Sequence, residues 1–269
     1  MFLKRFVTGV ALVLAAAVVL IFSAVPYVVA TVAAALGAMA VYELYRAAGL
    51  LRYRALRTLS VLIAIAFPYL EFPRFYYAEA GLFLFTSVLF LSLMRVYEKK
   101  RLDRLWFVFF IALLIPALLS ALSYLSMLEN GVYYLLVIVL ASFGTDTVAY
   151  LAGSLFGRHK LAPHLSPKKS VEGFVCGVLA SALLCWGFGG LLGAVYGLPV
   201  RYPEIALLGL LAGIVAQFGD LCMSLLKRNY GIKDYGTLLP GHGGVLDRFD
   251  SMLFVAPFVY VYVSFIGIL

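Results

Sequence analysis

Nine apolar runs, separated by short polar segments, dominate this 269-residue chain. They cover roughly residues 7–22, 27–45, 57–70, 80–95, 105–126, 132–156, 171–197, 205–226 and 248–269. A helix needs about 20 mainly apolar residues to cross the hydrocarbon of a bilayer. Backbone polar groups find no water there, so such runs satisfy themselves as helices. The runs therefore predict an all-α polytopic membrane protein of about nine transmembrane helices, the third of them short. Only 13% of the residues are charged, against about a quarter in soluble domains. Little chain is left for a soluble domain, and no soluble basic domain exists to hold nucleic acid. Cys176, Cys185 and Cys222 fall within apolar runs and read as packing residues.

Charge gives sidedness. Lys4 and Arg5 precede the first run; a cleaved signal peptide is the alternative, without a clear Ala-x-Ala site to support it. With the N-terminus in the cytoplasm and alternating spans, 19 of the 21 Lys and Arg residues fall on the cytoplasmic side, and only Arg74 and Arg201 fall outside. That split follows the positive-inside rule and places the C-terminus outside. The excess of basic residues, a formal net charge of +8, also suits anionic headgroups. Lys99, Lys100 and Arg101 read as topology-setting residues that contact them.

The halves differ in texture. Residues 1–140 read as a transmembrane scaffold and subunit contact; residues 141–269 read as the half that carries chemistry. From Asp146 onward there are 18 of the 24 glycines, with Gly153/Gly157, Gly173/Gly177 and Gly209/Gly213 four apart. Such pairs let helices approach closely in lipid.

The stretch Gln217–Ser251 reads QFGDLCMSLLKRNYGIKDYGTLLPGHGGVLDRFDS. Gln217, Asp220, Ser224 and Lys227 fall at i, i+3, i+7 and i+10, one polar stripe on an apolar helix. Asp247 and Asp250 are expected one turn apart at the start of the last helix. A second stretch, Asp146–Gly173, places Asp146 about 16 Å along a helix from a basic loop. Ser166-Pro167-Lys168-Lys169-Ser170 is expected to open the next helix, with Glu172 in its first turn, as an anion site. Bare carboxylates in lipid cost several kcal/mol, so Asp146, Asp220, Asp247 and Asp250 need a cation, a donor or water. Internal ion pairs answer that need; a shared Mg²⁺ answers it better, since that ion takes one or two carboxylates plus waters and phosphate oxygens. Asp220 and Asp247 are the expected direct ligands. Asp146 and Asp250 are candidates for water-mediated contact, ligand orientation or a second cation. Gly241-His242-Gly243-Gly244 reads as amides and an imidazole approaching phosphate; a glycine turn capping the last helix is the alternative, and a zinc ligand lacks a companion Cys or His. His159 and His164 read as loop or interface residues.

The spacing Ser224-x-x-Lys227-Arg228-x4-Lys233-Asp234-x-Gly236-x-x-Leu239-Pro240-x-His242-Gly243-Gly244-x-x-Asp247-Arg248-x-Asp250 resembles the motif of the CDP-diacylglycerol synthase (phosphatidate cytidylyltransferase) family, without departure. The run from Asp146 through Ser-Pro-Lys-Lys to Gly173 resembles the same family, so the resemblance covers roughly 142–252. It implies a Mg²⁺-dependent reaction of CTP with phosphatidic acid to give CDP-diacylglycerol and pyrophosphate, in a homodimer of the cell inner membrane whose site faces the cytoplasm. Asp220, Asp247, Lys227 and Arg228 are the expected catalytic residues. Lys168, Lys169, Lys233, His242, Gly243, Gly244, Arg248 and Ser224 are the expected substrate contacts. Two rivals stand: a CTP-dependent membrane lipid kinase, which would release CDP, and an ion-coupled transporter. The transporter expects polar residues near the midplane and interrupted helices in both halves, whereas here they crowd toward one end of the second half.

Overall fold

Among the described residues four helices are long and apolar enough to cross a membrane: Val28–Ala47, Gly131–Phe156, Val171–Tyr196 and Tyr202–Asn229. At 1.5 Å per residue the shortest, of 20 residues, reaches about 30 Å. The chain is thus an integral membrane protein of helical class. The structure, a computed structural model, describes residues 2–69, 83, 104–239, 241 and 243–269. The predicted run 80–95, apart from Phe83, lies outside them, as do the basic residues near 100 and His242.

The described helices follow the apolar runs. They are α1 (Phe2–Ile21), α2 (Val28–Ala47), α3 (Arg54–Ala66), α4 (Arg104–Ser126), α5 (Gly131–Val139), α6 (Thr145–Phe156), α7 (Val171–Tyr196), α8 (Tyr202–Asn229) and α9 (Met252–Phe265). The single run expected at 132–156 is α5 and α6 joined by one wide π turn, Leu140–Gly144. α3 is short, as expected, and continues into a 3₁₀ turn at Phe67–Tyr69.

Two groups of helices meet. α2, α3 and α4 pack together, with Tyr45 and Ser60 sharing a buried hydrogen bond of 3.0 Å between α2 and α3. α6, α7 and α8 form the second group. Their close approach depends on small residues, as the glycine spacing predicted. A Cβ on Gly173 would fall 2.6 Å from the Ala149 carbonyl oxygen, and one on Gly209 2.7 Å from that of Ser181. α9 lies against α4 on one side and α8 on the other and joins the groups; its Tyr260 ring packs tilted against Tyr124, 5.6 Å between centroids.

Two local expectations are corrected. Ser166–Ser170 does not open a helix. It is strand β2, antiparallel to β1 (Lys160–Ala162), so the fold is not purely helical. α7 starts only at Val171, because the Ser170 hydroxyl accepts the Gly173 amide at 3.1 Å and caps it. Likewise Asp247 and Asp250 are not on the last helix, which starts at Met252. They stand in the turns before it, where carboxylates instead of helical carbonyls take the backbone amides.

One end of the bundle gathers the polar loops. The Arg228 side chain reaches the Leu165 carbonyl at 3.1 Å, and the Val245 and Leu246 amides reach Glu43, one turn from the end of α2. At the opposite end, Arg201 donates through its backbone to Ile268 at 3.0 Å and through its side chain to Ile266 at 3.3 Å. Arg201 and the C-terminal residues thus share an end.

Candidate active site

The polar stripe on α8 faces α6, the hairpin and the 244–251 turns, and a cavity of about 570 Å³ opens between them. Its wall includes Asp146, Lys168, Lys169, Asp220, Lys227, Asp247, Arg248 and Asp250, all named from sequence. Lys160 and Gln217 join them. Four carboxylates therefore face five cationic side chains across one cavity in an apolar bundle.

The carboxylates are held in different ways. Asp220 takes Lys169 Nζ at 2.6 Å and the Ser224 hydroxyl at 3.3 Å. Lys169 also donates to Gln217 Oε1 at 2.9 Å, and Gln217 Nε2 donates to Asp146 at 3.4 Å. Asp146 takes a further bond from the Ser251 hydroxyl at 3.0 Å. Buried Lys227 pairs with Asp247 at 3.1 Å and stands 3.6 Å from Asp250. Asp247 Oδ2 accepts the amides of Tyr235 at 2.8 Å and Gly244 at 2.9 Å. Tyr235 is buried beneath this turn; burial pushes its hydroxyl well above the ordinary tyrosine pKa, and it donates to the Met223 carbonyl at 3.0 Å.

The other expected site residues lie elsewhere. Ser224 is buried behind Asp220 and touches the site through it. Arg228 clamps two loops, donating to Leu165 and, at 3.3 Å, to the Ile232 carbonyl. Lys233 is exposed and away from the cavity wall. Gly241 and Gly243 take φ of +80° and +87°, open to glycine without strain. The Gly244 amide, expected to face phosphate, donates to Asp247. His159 and Glu172 pair at 2.7 Å across the base of the hairpin.

Three contributors escaped the sequence: Lys160, Ser251 and Glu43. Glu43 accepts the Val245 amide at 3.0 Å and the Leu246 amide at 2.9 Å, and is only 4% exposed. Its signal was available, since an acid inside an apolar segment marks a functional position by default.

Among the described residues no three Asp, Glu, His or Cys side chains are grouped closely enough to hold a metal ion, and Lys169 and Lys227 pair with the aspartates instead. The donor set still fits one. The described lining offers carboxylate oxygens with no thiol or imidazole, the chemistry of a hard cation such as Mg²⁺.

Fold and site together define a helical membrane protein with a charged, phosphate-compatible cavity sunk into one end of its bundle. Comparison with known sequences narrows this. The chain belongs to the cytidylyltransferase family, whose model matches residues 3–266. It is similar to the phosphatidate cytidylyltransferase of Bacillus subtilis (strain 168), 43% identical over 132 residues, which is 49% of this chain and 48% of that protein. The Synechocystis protein of that name is 50% identical over 140 residues, 50% of this chain and 45% of its own. That of Staphylococcus aureus (strain COL) is 42% identical over 135 residues, 49% and 50%. The chain spans about half the length of the curated relatives it matches.

Proposed function

We propose that this protein transfers CMP from CTP to phosphatidic acid, releasing pyrophosphate and forming CDP-diacylglycerol for phospholipid synthesis. The observation that carries the reading is the single cavity in which Asp146, Asp220, Asp247 and Asp250 face Lys160, Lys168, Lys169, Lys227 and Arg248. Membership of the cytidylyltransferase family and the names of its relatives support it.

The chemistry asks little acid–base work of the protein. A phosphate monoester is mostly dianionic near neutral pH, its second pKa being about 6. Its oxygen forms a bond to the α-phosphorus of CTP, and the bond from that phosphorus to the bridging oxygen breaks as pyrophosphate leaves with the electron pair. The barrier is anion meeting anion. Lys168, Lys169 and Arg248, on the cavity rim, offset the charge of the triphosphate and the lipid headgroup. Lys227, fixed between Asp247 and Asp250, keeps both carboxylates turned into the cavity. Mg²⁺, when bound through Asp220 and Asp247 with Asp146 and Asp250 in support, supplies charge neutralisation and alignment of phosphate oxygens. The acyl chains stay in lipid.

The same reading orients the molecule. The basic end holding the hairpin and the 230–251 loop faces the cytoplasm of the cell inner membrane, and Arg201 and the C-terminus face outward. The first half serves as scaffold and as the contact of a homodimer. Purified protein should release pyrophosphate from CTP only when phosphatidate is present. Release of CDP instead would make it a CTP-dependent lipid kinase, and no phosphatidate-dependent product from CTP would overturn the reading. Cysteines introduced near residues 165 and 235 should label in sealed cells only after permeabilisation; ready labelling from outside would refute the orientation.

A further inference from the structure

Successive amides of the turn before α9 point at carboxylates. Gly244 donates to Asp247, and Val245 and Leu246 both donate to Glu43, some 200 residues earlier in the chain. Runs of such amides make anion-binding nests. This nest is filled by the protein's own side chains. One occupant belongs to the cavity, the other to α2, which the sequence marked as scaffold.

The fit around Glu43 is close. A Cβ on Gly236 would fall 2.5 Å from its Oε1, and one on Gly244 2.5 Å from its Oε2. Both glycines are thus needed where the loop wraps this carboxylate. Among the described residues the far face of the turn offers no substitute partner, because Leu238, Leu239, Val245 and Met252 border an apolar cavity of about 290 Å³ lined mainly by α1, α2 and α5. A buried amide without a partner is costly. Glu43 is therefore what keeps residues 244–246 in the conformation that presents Asp247, and it is not itself among the described residues that line the cavity.

We propose that Glu43 is a positioning residue: by holding the Val245 and Leu246 amides it fixes the turn that aims Asp247 into the cavity, so the N-terminal half sets the geometry of the site. This rests on the cytidylyltransferase reading only for its activity arm. Glu43→Gln is nearly isosteric, but one carbonyl oxygen must replace two acceptors, and its amide group then faces a backbone N–H. Gly244→Ala attacks the same contact from the loop side.

The test compares wild type, Glu43→Gln and Gly244→Ala as full-length protein in detergent. It measures kcat and KM for CTP and phosphatidate, amide hydrogen exchange by segment, and thermal unfolding. Both variants should lose at least about tenfold in kcat while KM for CTP stays within about threefold, since a misplaced group costs turnover more than binding. Exchange should accelerate at residues 243–248 and stay unchanged across α7 and α8. Wild-type kcat with unchanged loop exchange overturns the proposal. So does a loss of activity accompanied by faster exchange throughout the bundle, which would make Glu43 a general stability residue. If wild type makes no product from CTP, the functional reading fails, and the exchange pattern alone decides the role of Glu43.

Discussion

Asp220 and Asp247 line the same cavity, yet one is held by a side-chain cation and the other by the backbone. Asp220 meets Lys169, a long side chain on the hairpin, and its side chain is 24% exposed. Asp247 accepts two amides as well as Lys227, and its side chain is 2% exposed. In the proposed reaction the first arrangement is the exchangeable one, since only side chains, Asp220 and Gln217, hold Lys169 there. The second is fixed, because moving Asp247 would unmake a turn.

Neutralising the two aspartates breaks this comparison most sharply. Asp220→Asn and Asp247→Asn should each reduce pyrophosphate release by at least roughly a thousandfold, as expected when charge facing transferring phosphates is removed. They should part in stability. Asp247→Asn can keep both amides on its carbonyl oxygen but turns its NH2 toward Lys227 Nζ, donor against donor, and should cost about 1–3 kcal/mol, whereas Asp220→Asn should cost less than that, because no backbone amide depends on its carboxylate. Equal melting temperatures in detergent would show that the two carboxylates are held alike.

Lys227→Ala comes next. It leaves Asp247 and Asp250 without their shared cation in a buried place and should cost about 3 kcal/mol in thermal unfolding, with turnover down about a hundredfold. Melting unchanged from wild type would mean that the lysine is not what holds the pair.

Lys169→Ala sharpens the exchangeable side. It should raise KM for CTP by about tenfold, the loss of one charge-assisted contact, and leave melting nearly unchanged. An unchanged KM would show that Lys169 stays on Asp220 when substrate binds.

The smallest effects fall outside the cavity. Arg228→Ala removes its bonds to Leu165 and Ile232 and should cost about 1–2 kcal/mol of stability, with a severalfold loss of rate. Lys233→Ala, exposed and away from the wall, should change kcat/KM by no more than about twofold. A large loss at Lys233 would extend the substrate contacts beyond the cavity.

What was legible in the sequence was what periodicity carries. Gln217, Asp220, Ser224 and Lys227 were readable as one stripe because a helix repeats every 3.6 residues, and each makes the inward contact that its position implies. The positions of Asp247, Lys168 and Lys169 were not readable in the same way. The apolar run suggested a last helix from 248, but the Arg248 amide closes a turn on the Val245 carbonyl and the Ser251 amide goes to the Asp250 carboxylate, so the helix starts only at Met252. Lys168 and Lys169 looked like the first turn of α7, yet pairing with Lys160–Ala162 draws them into a strand and Ser170 supplies the cap. Glu43 was the hardest, because its partners lie 202 and 203 residues away.

The π turn at Leu140–Gly144 sits immediately before Asp146. A regular α-helix advances about 100° per residue, so one extra residue in a turn shifts the phase of everything beyond it. Asp146 meets Gln217 and Ser251 in that shifted phase. Deleting a single residue between 140 and 144 would leave a span still long enough for a bilayer, but would return α6 to regular register and rotate Asp146 away from the cavity by about a quarter turn. This segment therefore counts residues: its length can vary at the far end of α5, but hardly at all across the wide turn.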